Sequence, residues 1–341
     1  MRLLHQFTSS TAFTVTDGTE VQRTWKGSVI DLAFDHSFLL HSILAFSALH
    51  LAYIHPQDKA VYVNVAARHQ DKALSEVHPA IADLSIHNCE ALLAFSLLTV
   101  CYIPASRDTL LDAADAAATQ FGPLLDWLNL IRGVVSVVER GRRWIRMGPL
   151  AIWLQYFSPD LARSTPLNDI SLEEDHRLRC LEKVWNGVSS GGMADCTHDD
   201  ARLEAALCNE ALAQLRGAFS LVDVAISSHS KGSNNGIRAV QENSNGQGCP
   251  SVVAASLVWL YEISDDFLHM IIAQRPAALI LLLHNFILVK RLGGERCWWA
   301  PLLAAQVADA VTPLIPAEYH DLILWPIEEI RGAGVRPNII Q

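Results

Sequence analysis

The sequence predicts an all-α protein: a single large multi-helix domain with buried central helices. Three observations carry this reading. Apolar residues recur at helical spacing along the chain, while strand-like alternation is hard to find. Three stretches, 37–55, 88–103 and 276–292, are apolar almost all round, as befits helices wrapped by other helices. Prolines, glycines and short polar residues punctuate the apolar segments where helices should start and stop.

The elements follow in order. SFLLHSILAFSALHLAYIH (37–55) reads as one long helix, capped by Asp35 or Ser37 and stopped by Pro56. Lys59 to His78 gives an amphipathic partner, with Val61, Val65, Ala66, His69, Ala73 and Val77 near one face. Asn88 to Ile103 should end at Pro104, because proline lacks the N–H that a helix interior needs. Leu124 to Val138 follows the Gly122-Pro123 breaker, and Arg202 to Ile226 is long and rich in Ala and Leu. Val253 to Ile272, Pro276 to Leu292 and Trp298 to Val311 complete the array. Pro276 suits a first turn, and Gly293-Gly294 suits a helix end.

The segment 227–251 is dominated by Gly, Ser and Asn and reads as an exposed flexible loop; 189–200 reads as a shorter one. Neither divides two independent cores. The expected organisation is one helical domain over 1–330, interrupted by the 227–251 loop, with a C-terminal tail at 331–341.

Composition excludes several classes. Of 341 residues, 50% are hydrophobic and 18% charged, which supplies a core and argues against disorder. Acidic residues outnumber basic ones, 36 to 26, for a net charge of −10, so a broad phosphate-gripping face is not expected. The start, MRLLHQFTSSTAF, has no apolar run of signal-peptide length. The longest apolar runs, near 39–54, 91–103 and 277–289, fall short of the ~20 residues that span a bilayer, so no membrane span is expected. Cys89, Cys101, Cys180, Cys196, Cys208, Cys249 and Cys297 are scattered and odd in number, as reduced thiols are, and form no C-x2-C pair. The protein is therefore expected to be intracellular, in nucleus or cytoplasm.

Motifs for chemistry are missing. There is no H-E-x-x-H, P-loop, G-x-S-x-G or nucleotide-binding G-x-G-x-x-G. His36 and His41 stand about 140° apart on a helix, and His41 and His50 about 180°, so neither pair shares a face and no metal is expected. Glu173-Glu174-Asp175-His176 suits the solvated first turn of a helix. Arg140, Arg142, Arg143 and Arg146 form the strongest basic cluster, read as charged surface before any anion or partner site. No catalytic residue and no cofactor can be named. Within 276–292, His284 and Asn285 are the polar exceptions. They are either satisfied core residues or groups that orient a ligand.

Several stretches occur together in a familiar order: AFDHSFLLHSILAFSALHLA (33–52), WLNLIRGVVSVV (127–138), RPAALILLLHNFILVKRL (275–292), CWW (297–299) and LILWPIEEI (322–330). They resemble the regulatory domain of fungal binuclear zinc-cluster transcription factors, in particular the sterol uptake control protein group. The resemblance runs from residue 3 to about Ile330. It implies an all-helical domain that often dimerises and, in sterol-responsive members, binds a sterol in an apolar pocket. Phe267, Met270, Ile271, His284, Phe286, Trp298 and Trp299 are compatible with such a pocket: aromatic walls, an adaptable thioether and one polar anchor. The family reads DNA through an N-terminal six-cysteine zinc cluster with a basic linker. Met1 falls where the regulatory domain starts, and these 341 residues contain neither. Direct nucleic-acid binding by this chain is therefore not expected. A truncated gene model, a regulator that pairs with a complete zinc-cluster factor, and recruitment to catalysis all remain open. The leading expectation is a ligand-responsive regulatory module for sterol or secondary-metabolite genes. It would act as a homodimer or with a complete relative, and bind a sterol or terpenoid-like molecule. The alternative is a small-molecule enzyme on the same scaffold.

Overall fold

The structure, a computed structural model, describes residues 1–16, 19–110, 121–157, 162, 165–186, 197–232, 252–292 and 297–332. Helices, α and 3-10 together, hold 87% of these, and no strand occurs among them. The expected fold class is what the protein has. The chain gathers into two compact units: Met1–Ser158 with Leu292–Gln306, and Pro159–Arg291 with Val307–Gln341.

The first unit contains α1 (Arg2–Ser9), α2 (Thr19–Lys26), α3 (Ser28–Asp35), α4 (Ser37–Ile54), α5 (Lys59–Ala82), α6 (Cys89–Leu110) and α7 (Phe121–Ile145). Its centre is α4, which packs against α1, α3, α5 and α6. Phe38, Leu39, Ile43, Phe46 and Leu49 are all buried on it, which explains why its sequence shows no polar face.

Helix α6 corrects the reading that Pro104 ends it. The helix continues to Leu110 with Pro104 inside. Proline at 104 denies the Val100 carbonyl its usual intrahelical donor. The indole N–H of Trp127, on α7, donates to that carbonyl at 2.9 Å. A tertiary bond thus replaces the local one. Helix α7 likewise starts before Gly122-Pro123, with Pro123 in its first turn, and runs on to Ile145. Arg140, Arg142 and Arg143 therefore lie on its last turns, where cations favour the helix dipole, and Arg143 covers the Trp144 ring at 4.3 Å.

The second unit contains α8 (Leu172–Arg179), α9 (Thr197–Gly232), α10 (Val252–Glu262), α11 (Asp265–Ile272), α12 (Pro276–Arg291) and α14 (His320–Arg331). The helix α13 (Trp299–Val311) contributes residues to both units. Helix α9 extends through Gly232, so the first residues of the segment read as a flexible loop are helical. Residues 233–251 and 333–341 lie outside the described residues.

The stretch read as one helix over 253–272 is two. Ser264 breaks it, its backbone extended (φ −66°, ψ 157°) and its hydroxyl accepting from Phe267 N at 3.2 Å. This is an N-cap, with Asp265 and Asp266 in the first turn as the dipole favours. Helix α11 ends with Gln274 at φ 54°, while Arg275 N donates to Met270 O and Gln274 N to Ile271 O, both at 2.9 Å. This is a Schellman closure with glutamine where glycine is usual. It turns the chain by 103° into α12.

By length and composition alone, Ser37–Ile54, Cys89–Arg107 and Phe121–Ile145 are long and apolar enough to cross a membrane. The helices outrun the apolar stretches the sequence displays. In the first two, most of that apolar window is buried within the protein.

Candidate functional site

Helix α12 is the axis of the candidate site. Every residue from Ala277 to Val289 is buried, including His284 and Asn285. The two polar residues differ in how they are accommodated.

The His284 Nδ1–H donates to the Ile280 carbonyl one turn back, at 2.7 Å. A carbonyl only accepts, so the neutral ring carries its proton on Nδ1 and presents Nε2 as an acceptor. Burial lowers the imidazole pKa to about 4, so the ring is uncharged at neutral pH. The ring lies 5.6 Å from that of Trp325 on α14, and Trp325 in turn faces Phe219 of α9 at 6.0 Å. Trp325 and Phe219 were not singled out from the sequence; both are distant along the chain from His284.

Asn285 is fully buried, and neither its Oδ1 nor its Nδ2 meets a hydrogen-bonding partner among the described residues. Its neighbours three and four positions along the helix are Leu281, Leu282, Leu288 and Val289, all buried and all without polar side-chain atoms. An unpaired buried amide costs about 1–3 kcal/mol. The amide can donate to a hydroxyl or a carbonyl and can accept from a hydroxyl.

The remaining sequence candidates separate. Phe267, Met270 and Ile271 lie on α11, buried, and belong to the same unit as His284 and Phe286. Phe267 meets the Trp259 ring edge-on at 5.8 Å. Trp298 and Trp299 belong to the other unit. There Trp298 Nε1 donates to Thr14 Oγ1 and Trp299 Nε1 to the Thr14 carbonyl, each at 3.2 Å. Trp298 also stacks on Phe46, His50 and Tyr53 of α4.

The acidic run begins α8 as expected. The Ser171 side chain caps it by accepting from Glu174 N. It is more engaged than a solvated turn, however. Asp175 binds Arg216 at 2.6 Å and Arg179 at 2.8 Å, and Glu174 pairs with Arg291 at the end of α12. Asp223 also faces Arg291, at 3.8 Å. Burial, reinforced by the Glu174 charge, pushes the Asp223 carboxyl up to about 6. These ion pairs tie α8, α9 and the C-terminal end of α12 together. Among the described residues no group of three His, Cys, Asp or Glu side chains gathers to hold a metal. Of the cysteines, Cys89, Cys101 and Cys208 are buried and free, Cys297 is buried, Cys180 is free and half-buried, and Cys196 and Cys249 lie outside the described residues.

Comparison with known proteins shows what the chain is similar to. Residues 2–131 match the fungal specific transcription factor domain. A Zn(2)-C6 fungal-type transcription factor of Gibberella zeae is 24% identical over 338 residues, covering 96% of this chain and 61% of its own length. Sterol uptake control protein 2 of Candida albicans is 30% identical over 141 residues, 40% of this chain and 18% of that protein. The Zn(2)-C6 fungal-type transcription factor afumD of Aspergillus fumigatus is 28% identical over 158 residues, 45% of this chain and 40% of its own. The chain thus spans about three-fifths of the first relative and less of the others. The chain is thus similar to a fungal specific transcription factor domain over residues 2–131, and to a Zn(2)-C6 fungal-type transcription factor over most of its length.

Proposed function

We propose that the chain is the ligand-responsive module of a fungal transcription regulator for sterol or secondary-metabolite genes. It binds an apolar molecule bearing a single hydroxyl or carbonyl, of sterol or terpenoid type, among the helices around α12. The observation that carries this reading is the unpaired, fully buried amide of Asn285. A core that only packs has no use for a polar group costing about 1–3 kcal/mol. Phe267, Met270, Ile271 and Phe286 supply apolar wall, and His284 Nε2 a second acceptor. The similarity to sterol uptake control protein 2 of Candida albicans favours a sterol as the ligand. In this reading the module works inside the cell, in nucleus or cytoplasm, as a homodimer or paired with a complete zinc-cluster factor.

Fluorescence tests it. Trp325 stands beside His284, so ligand entry should alter tryptophan emission. Titration with ergosterol and other terpenoids should give a saturable change that Asn285→Leu abolishes. His284→Leu should weaken binding several-fold, the value of about one hydrogen bond or ~1 kcal/mol. No saturable change with any ligand would leave only a packed core.

A further inference from the structure

We propose that α7 is the surface through which two copies of this chain pair, antiparallel and related by a two-fold axis through Gly133. This names the contact behind the homodimer of the proposed function; it rests on that reading only for the second copy and needs no ligand. Helix α7 is covered on one side only. There Trp127, Ile131, Val134 and Val138 are buried, and the main neighbours are α6 and the 3-10 helix Ala151–Phe157. The opposite side is bare, and only 33% of the helix's apolar window is buried. On that side Asp126, Asn129, Gly133, Ser136 and Arg140 are exposed, while Leu130, Val137 and Trp144 are half-buried.

The bare side is complementary to itself. At about 100° per residue, Gly122, Asp126, Gly133, Arg140 and Trp144 fall within about 40° of one another around the helix. In a two-fold antiparallel pair crossing at Gly133, each residue faces the one equally far beyond Gly133 on the other copy. Asp126 and Arg140 lie seven positions to either side of it. Each Asp126 carboxylate therefore meets the partner's Arg140, and the pair occurs twice. Arg140 makes no ion pair among the described residues of its own chain. The Asp126 charge bears on Arg107 of α6, and a carboxylate, with two oxygens, accepts from both cations. The same register sets the ridge Leu130, Val137 and Trp144 against the small polar row Ser136, Asn129 and Gly122 of the other copy. Both rows repeat every seven residues, the period of helices that pack along their length. A Cβ at Gly122 or Gly133 would meet nothing within 4 Å, so both positions are open to a neighbour. Gly133 sits where the axes come closest, and only a small residue, glycine or alanine, fits there. Arg143 covers one face of the Trp144 ring at 4.3 Å, which leaves the other to the partner. A nucleic acid or an anionic membrane would select the arginines but repel Asp126, which a second copy pairs.

The test is sedimentation velocity of the full chain at tens of micromolar, without ligand. The wild type should sediment as a dimer. Asp126→Arg and Arg140→Asp each set like charges opposite one another at both ends of the interface, and each should weaken the dimer by ~10-fold or more. Mixed in equal amounts, the two variants should form a heterodimer, because every facing pair at 126 and 140 then joins opposite charges. That rescue also shows that both variants fold. Arg146→Asp, exposed on the flank of the same helix, should leave the dimer intact. A monomeric wild type would assign the bare side to a different partner and overturn the proposal. Single variants as dimeric as the wild type, or a mixture that stays monomeric, would overturn it too. Failure of sterol binding beside an intact dimer would count against the ligand reading alone.

Discussion

The Ala162 carbonyl lies directly over Gly217: a Cβ built on Gly217 would stand 1.9 Å from that oxygen. Backbone occupies the space, and it cannot yield cheaply. Glu262 Oε1 accepts from Ala162 N at 2.9 Å, and Ser220 Oγ donates to the Pro166 carbonyl at 2.6 Å. Glycine at 217 is what lets this segment lie on α9.

Gly217→Ala should therefore destabilise the protein by about 2 kcal/mol, through overpacking. The sign is the diagnostic, since alanine normally stabilises a helix interior over glycine by up to ~1 kcal/mol. Gly133→Ala on α7 is the control: it meets nothing within 4 Å and should stabilise. Equal effects at the two sites, measured by urea unfolding, would refute the close approach.

A second prediction concerns α12. Leu281 and Leu283 are fully buried. Leu281→Asp or Leu283→Asp should abolish soluble folding, because an unpaired buried carboxylate costs several kcal/mol. Were both variants to express and melt like the parent, α12 would be a surface helix.

Acid should weaken the fold well before its carboxylates are lost. His50 and His284 are held neutral, each with a pKa of about 4, and His41 and His69 are shifted the same way. In the unfolded chain these groups titrate near 6.5. Below that pH the unfolded state binds more protons, so stability is fully present above 6.5 and falls towards pH 4. His50 and His284 each contribute ~3 kcal/mol to that fall. Asp223, raised to about 6, works in the opposite direction because its folded form takes up a proton first. The histidines prevail, and the net loss between pH 6.5 and 4.5 should be about 3 kcal/mol. Denaturant midpoints measured at both pH values check this; a midpoint that rises on acidification contradicts it.

The 341-residue chain by itself should not select a DNA sequence. Its net charge is −10, and its described cysteines are dispersed, four of the five buried. Sequence-selective, salt-sensitive retardation of DNA by this chain alone would disprove the prediction.

Much of the fold was legible because its signals are local. The apolar run of α4, Pro276 at the start of α12 and the acidic first turn of α8 all read directly from neighbouring residues, whereas the cap of α4 is His36, without a side-chain hydrogen bond, and not Asp35 or Ser37. Pro104 misled because its missing bond is supplied from another helix, by Trp127, which no local window contains. The Ser264 break was readable from Ser-Asp-Asp, but the apolar periodicity on either side obscured it. The site was legible only in part. His284 and Asn285 stood out as polar residues in an apolar run. Which of them finds a partner depends on three-dimensional neighbours, and His284 satisfies its Nδ1 within its own turn whereas Asn285 does not. The hydrogen bond between the Nδ1 atoms of His41 on α4 and His69 on α5, 2.9 Å long, was invisible for the same reason: spacing within one helix says nothing about a ring across an interface.

The most direct measurement is thermal unfolding of the wild-type chain and Asn285→Leu with and without saturating ergosterol or a related terpenoid alcohol. Without ligand, Asn285→Leu should melt higher than wild type, because it removes an unpaired buried amide. With ligand at about 100 times its Kd, the wild type should gain ~2.7 kcal/mol and the variant nothing. A variant that is less stable without ligand, or a wild type that gains no stability from any ligand, would contradict the assignment of Asn285 as the anchor of a ligand-responsive core.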